Sequence, residues 1–267
     1  MDFKRARLAL LLLFAGLIAG CTAVLDASDY GLSQAYSNKV VKGSGFKHRV
    51  VFKKGVGSRL HVYVDGDGRP WETRIKRSEN PTPERALALE LMALDEHPAL
   101  FLGRPCYFVP TVSPCDQNKW WTSHRYSQDV VSSMSAVIDR YSENYDSIAL
   151  VGHSGGGTIA FLLASQRDDV SVLVTLAANL NIALWAKQHS FSPLYGSLNP
   201  VTVPQLDSTV NQFHFLGESD RNVSSAVFTS IAKHQKLARF ERLPGLDHSC
   251  CWGDAWPDLL AKTGMLR

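Results

Sequence analysis

The sequence predicts an α/β fold, a mostly parallel twisted sheet with helices on both faces. Short β-rich runs alternate with helical patterns of about ten to fifteen residues through most of the chain, as βαβ units require. Two of those runs, Ser147–Gly152 and Val170–Leu176, are almost wholly apolar, as suits strands covered on both sides. The 267 residues are 45% hydrophobic and 20% charged, which excludes a disordered or fibrous chain. The 28 Lys and Arg against 25 Asp and Glu give a net charge of +3, too small an excess to argue for a nucleic-acid partner.

Residues 1–20 read as an address. Lys4, Arg5 and Arg7 precede the apolar run Leu8–Ala19, which as a helix would rise only ~18 Å, short of a bilayer's ~30 Å core. A basic cluster followed by a short apolar run is the pattern of a secretory signal peptide. Ile18-Ala19-Gly20-Cys21 resembles the bacterial lipobox, which implies cleavage before Cys21 and lipidation of its thiol. Without residues 1–20 the chain carries 25 basic and 24 acidic side chains, a net of +1, so lipid rather than charge must hold it at a membrane. The expected location is the bacterial cell envelope, at the periplasmic or outer-membrane face. Residues 21–45 are small, polar and aperiodic, and are expected to form a tether.

Residues 46–267 are expected to form one domain. His48–Lys53 and Arg59–Val64, separated by Gly55-Val56-Gly57, suggest an opening antiparallel hairpin. A helix is expected from Pro83 to about Glu96, with Pro and acids in its first turn. Tyr107–Val109, bracketed by Pro105 and Pro110, reads as a short strand. Ser123–Tyr145 reads as a long amphipathic helix, with Val130, Met134, Val137, Ile138 and Tyr141 at helical spacing. After Val170–Leu176, strands are expected at Gln212–Leu216 and Ala238–Leu243, and helices at Ser224–Lys236 and Asp254–Lys262. Residues 179–209, with three prolines and weak periodicity, are too long for a plain connection and are expected to form a lid-like insertion.

The chemistry centres on Gly152-His153-Ser154-Gly155-Gly156. It follows the strand Ile148–Val151 directly and opens the helix from Gly156 to Gln166. A strand, a sharp turn carrying serine and a helix are the parts of a nucleophile elbow. A P-loop is excluded because Thr158 stands where the phosphate-binding lysine belongs. A serine hydroxyl needs a base to take its proton and an acid to orient that base, in the chain order Ser, Asp or Glu, His. Phe213–Leu216 ends in Gly217-Glu218-Ser219-Asp220, so Asp220 lies just past a strand, with Glu218 as rival. Asp220 also suits the cap of the following helix. Ala238–Leu243 runs into Pro244-Gly245-Leu246-Asp247-His248, placing His248 in the loop before the last helix.

From about Val50 to Leu260 the chain resembles a bacterial α/β-hydrolase. The resemblance implies Ser154 as nucleophile, His248 as general base and Asp220 as its orienting acid. It implies the Gly155 N–H as one oxyanion donor and the loop Asp65-Gly66-Asp67-Gly68-Arg69 as source of the other, with Asp67 in the donor position. Two carboxylates there would oppose an oxyanion unless they point away or pair, with Arg69 at hand. The substrate is expected to be a small acyl compound, an ester or thioester. An amide bond and a non-catalytic binding protein on the same fold are the alternatives. No metal or cofactor is called for, since His248-x-Cys250-Cys251 matches no usual zinc spacing. Trp120-Trp121 with Arg125 would either rim the pocket or staple the long helix.

Of the five cysteines, four remain beside Cys21. Cys106 and Cys115 flank a segment stiffened by Pro110 and Pro114 and are expected to form a disulfide in an oxidising compartment. The adjacent Cys250 and Cys251 are expected to stay reduced, because joining neighbours closes a strained ring.

Overall fold

The computed structural model describes residues 36–109 and 112–266. The expected signal peptide and the expected lipidation site Cys21 lie outside them. Eight strands form one sheet in the order β1-β2-β4-β3-β5-β6-β7-β8. They are β1 (Tyr36–Lys42), β2 (Lys47–Lys53), β3 (Arg59–Val64), β4 (Ala99–Leu102), β5 (Ser147–His153), β6 (Val170–Leu176), β7 (Asn211–Gly217) and β8 (Arg239–Leu243). Among the described residues the α-helices are α1 (Leu87–Ala93), α2 (Gln128–Ser142), α3 (Gly155–Ala164), α4 (Ile182–Gln188), α5 (Ser225–Ser230) and α6 (Trp252–Lys262).

Strands β4, β3, β5, β6, β7 and β8 run parallel, while β1 and β2 are antiparallel to their neighbours. The crossover through α1 carries the chain outward from β3 to β4, and the one through α2 carries it back over β3 to β5. Right-handed crossovers in opposite directions put α1 and α2 on opposite faces. The helix contacts agree, α1 with α6 and α2 with α3. The reversal also makes the C-terminal ends of β3 and β5 a topological switch point, the crevice where open α/β sheets bind ligands. In α3 all ten residues are buried, as a helix apolar on every side must be. Helix α2 is amphipathic, burying Val130, Met134, Val137 and Ile138 under the cap of Ser127, whose Oγ accepts from Val130 N–H.

Several expectations are corrected. Tyr36–Lys42, inside the segment expected as a tether, pairs with β2 along its whole length. It is an edge strand with no fully buried side chain, so no apolar alternation marks it. The expected hairpin of β2 with β3 does not form, because β4 enters between them. Its four residues, all buried, are too few to show a period. Tyr107–Val109 is a turn, with Cys106 and Phe108 at φ of 72° and 58°, values no strand adopts. The helix expected from Pro83 is limited to Leu87–Ala93.

Cys106 and Cys115 are joined by a disulfide, with Cα atoms 5.2 Å apart. Cys250 and Cys251 are also bonded to each other, contrary to the expectation that they stay reduced.

Candidate active site

Ser154 sits between β5 and α3 at φ 50°, a conformation a serine holds only when its surroundings enforce it. They do so here: its N–H donates to Leu176 O at 2.8 Å, and its carbonyl accepts from Gly157 N–H at 3.0 Å. The turn is too tight for side chains on its flanks. A Cβ on Gly152 would lie 2.4 Å from Gly156 O, and one on Gly156 would lie 2.2 Å from Val64 O. The second contact brings the start of α3 against the end of β3, next to the loop Asp65–Asp67.

The three residues separated in sequence meet at this point. His248 Nε2 lies 3.0 Å from Ser154 Oγ, and His248 Nδ1 lies 2.9 Å from Asp220 Oδ2. A carboxylate only accepts, so Nδ1 carries the proton and Nε2 is free to accept from the serine hydroxyl. The Asp220 carboxylate is fully buried, and its other oxygen accepts from Asn222 and Val223 N–H at 2.7 and 2.8 Å. Glu218 is exposed and its backbone N–H joins Leu243, so it is not the acid facing the base. Ser224, not Asp220, caps α5. Asp247 turns to its own loop, accepting from Ser249 and Cys250 N–H. The His248 carbonyl is held by His153 Nε2–H at 2.7 Å and Trp252 Nε1–H at 3.3 Å. Burial lowers His153 to about 4, and the nearby His248 ring adds to the effect, so His153 acts as a neutral brace.

Asp67 lies against Gly155, where an added Cβ would come within 2.1 Å of its Oδ1. Its charge is matched by Arg104 and Arg125, and the expectation of Arg69 is corrected, because Arg69 reaches Glu84 instead. Arg104 Nη1 donates to Oδ1 at 2.5 Å, Arg125 Nη1 to Oδ2 at 2.9 Å and Tyr126 Oη to Oδ2 at 2.6 Å. Burial pushes the Asp67 carboxyl up, but Arg125 and Arg104 more than offset this and hold it well below the usual range. Asp65 accepts from the Gly66 N–H at 2.8 Å and is pushed up by burial to about 6, with the Gly66 and Ala88 backbone N–H groups opposing the rise. Two buried guanidinium groups thus face the Asp67 carboxylate, which presents no unpaired negative charge to the site.

Ser154 and His248 open into a cleft of about 1350 Å³. Residues 185 and 188–195, within the segment expected as a lid, form one wall, and Pro70–Arg74 contributes to another. Arg125 lines the cleft, whereas Trp120 and Trp121 are buried in the core. Among the described residues one group has metal-ligand geometry, His61, Asp95 and His97. None of the three lines the cleft. Asp95 Oδ2 already accepts from His61 Nδ1 and Tyr63 Oη, both at 2.6 Å.

Sequence reasoning missed Arg104, Tyr126, Asn222 and the bracing role of His153. For Arg104 and Tyr126 the usable signal was Asp67 itself, a buried acid that had to find cations and donors.

The architecture is the α/β-hydrolase fold. A model of the PGAP1-like alpha/beta domain matches residues 121–235. An esterase from Pyrococcus furiosus superposes with a TM-score of 0.62 at 13% identity, over 90% of this chain and 92% of its own. An alpha/beta hydrolase from a Penicillium species gives 0.59 at 12% identity over 86% and 96%. An alpha-beta serine hydrolase homologue from Coxiella burnetii gives 0.55 at 12% identity over 88% and 99%. At such identities the likeness is one of fold. A search of curated proteins finds no match.

Proposed function

We propose that the protein is a serine hydrolase that cleaves an ester or thioester through an acyl-enzyme, anchored by lipid at Cys21 in a bacterial cell envelope. The observation that carries the reading is the unbroken line Ser154 Oγ, His248 Nε2, His248 Nδ1 and Asp220 Oδ2, with contacts of 3.0 and 2.9 Å. Ser154 Oγ attacks the carbonyl carbon as its proton passes to His248 Nε2. The N–H groups of Gly155 and Asp67 receive the oxyanion. The Asp67 side chain does not oppose that charge, because Arg104 and Arg125 balance it. The imidazolium then returns the proton to the leaving alkoxide or thiolate, and water repeats the sequence on the acyl-enzyme. Export is supported by the lipobox-like Ile18–Cys21 and by the Cys106–Cys115 bond, which suits an oxidising compartment.

The test is turnover of short-chain esters, thioesters and aminoacyl amides by wild type and Ser154→Ala. Ester or thioester hydrolysis should fall by several powers of ten in the variant, with stability kept within about 1 kcal/mol. Unchanged turnover in Ser154→Ala, or turnover of amides alone, contradicts the reading.

A further inference from the structure

His248 Nε2 has a second neighbour besides Ser154. Asn222 Nδ2 lies 2.9 Å from it, closer than the Ser154 hydroxyl at 3.0 Å. The amide's orientation is not free. Trp185 Nε1–H, which can only donate, lies 3.3 Å from Asn222 Oδ1. The carbonyl end therefore faces Trp185 and the amino end faces the imidazole. Asn222 is fixed at its backbone as well: its N–H donates to Asp220 Oδ1 at 2.7 Å, and its carbonyl accepts from His189 Nε2–H at 2.7 Å. One carboxylate thus orients the ring through Nδ1 and, through its other oxygen, the residue that meets the ring at Nε2.

We propose that Asn222 is a positioning residue for the base, its Trp185-oriented amide donating to His248 Nε2 and holding the imidazole in the neutral, proton-accepting form. This rests on the triad reading above. A neutral imidazole offers one lone pair at Nε2, which Asn222 and Ser154 share. Once Nε2 is protonated, its N–H points at the N–H of the amide and the contact turns unfavourable. The amide cannot reverse to offer Oδ1 without abandoning the Trp185 indole. Asn222 therefore keeps the base unprotonated to lower pH than it would otherwise remain so.

The hydrogen bonds at Nε2 come from Ser154 and Asn222. The other titratable groups around the ring are Asp220 on Nδ1, His153 with its ring centroid 5.2 Å away, and Asp247, next in the chain. His189 stands behind Asn222, Asp65 and Asp67 stand beyond His153, and Asp254 lies in the first turn of α6. All of these are kept in the variants below, so their influence is common to every profile compared.

The experiment is the pH profile of kcat/KM on one ester for wild type, Asn222→Ala, Trp185→Phe and the double variant, with Ser154→Ala as control. In Asn222→Ala the acid limb should move up by about 0.5–1 pH unit, the size expected for one lost neutral hydrogen bond. Trp185→Phe frees the amide to turn its oxygen toward Nε2, so it should move the limb up further. In the Asn222→Ala background, Trp185→Phe should move it no more. A merely structural role would lower the plateau and leave the limb in place. The proposal is overturned if Ser154→Ala is inactive while the limbs of Asn222→Ala and Trp185→Phe coincide with wild type. Activity surviving in Ser154→Ala would instead overturn the triad reading, and this proposal with it. If Asn222→Ala does not fold, Trp185→Phe alone decides by the same shift.

Discussion

The acid of the proposed triad was the ambiguous member in the sequence, because Glu218 and Asp220 follow the same strand two positions apart. Burial separates them: the Asp220 carboxylate is sealed against His248, while Glu218 faces solvent. Asp220→Asn should lower kcat/KM by roughly a thousandfold or more, because His248 loses the acceptor that fixes its tautomer. Glu218→Gln should leave kcat/KM near wild type, and the reverse ranking would refute the assignment. Buried histidines set the response of stability to acid. His48 and His153 are lowered to about 4 and His214 to about 3, in each case chiefly by burial. The unfolded chain takes up protons on these rings near pH 6.5, where the folded chain does not, so each costs stability as pH falls from 6.5 toward 4. Asp65, raised by burial to about 6, acts oppositely, since the folded chain keeps a proton that the unfolded chain releases near 4. Three groups against one leave a net loss on acidification. Thermal melts should show Tm falling between pH 7 and 4, and less steeply in His214→Phe, whose ring can keep the stacking on Phe240. A level or rising Tm across that range contradicts this account.

Among the elements, the junction of β5 and α3 carries the tightest demands. A methyl group on Gly152 would meet the backbone of Gly156 and Gly157 at 2.4–2.5 Å, atoms that cannot move aside without opening the elbow. At Gly253, in α6, an added Cβ meets nothing within 4 Å. Gly152→Ala should therefore cost about 1–3 kcal/mol or more with loss of activity, whereas Gly253→Ala should gain up to ~1 kcal/mol from helix propensity. Chemical denaturation of the two variants checks both signs. This junction was also the most legible part of the sequence, since an apolar strand, two small turn residues and an apolar helix leave little choice of geometry. Strands β6, β7 and β8 were legible for the same reason, being apolar or β-rich runs between helices. Strand β4 was not, with four residues and no period of its own, and β1 was not, because an edge strand needs no buried face. Around the site, Ser154 and His248 were legible from chain order, and Asp220 only with Glu218 beside it as rival. Arg104, Tyr126 and Asn222 were not, because their roles come from contacts between segments remote in sequence.

For the whole molecule, the parallel run of β3, β5, β7 and β8 gathers the ends of β3, β5 and β7 and the loop after β8 at one rim, and the crossover reversal between β3 and β5 opens the crevice there. That convergence brings residues 65–67, 153–155, 220–222 and 248 together and leaves the cleft open above them. Among the described residues no helix is long and apolar enough to cross a membrane. The central claim is that this rim carries a nucleophilic serine activated by His248. Its most direct test is mass mapping of the protein after exposure to a fluorophosphonate. One phosphonyl adduct is expected, on the peptide containing Ser154, formed by wild type and lost in both Ser154→Ala and His248→Gln. An adduct on another residue, or full labelling that persists in His248→Gln, would contradict it.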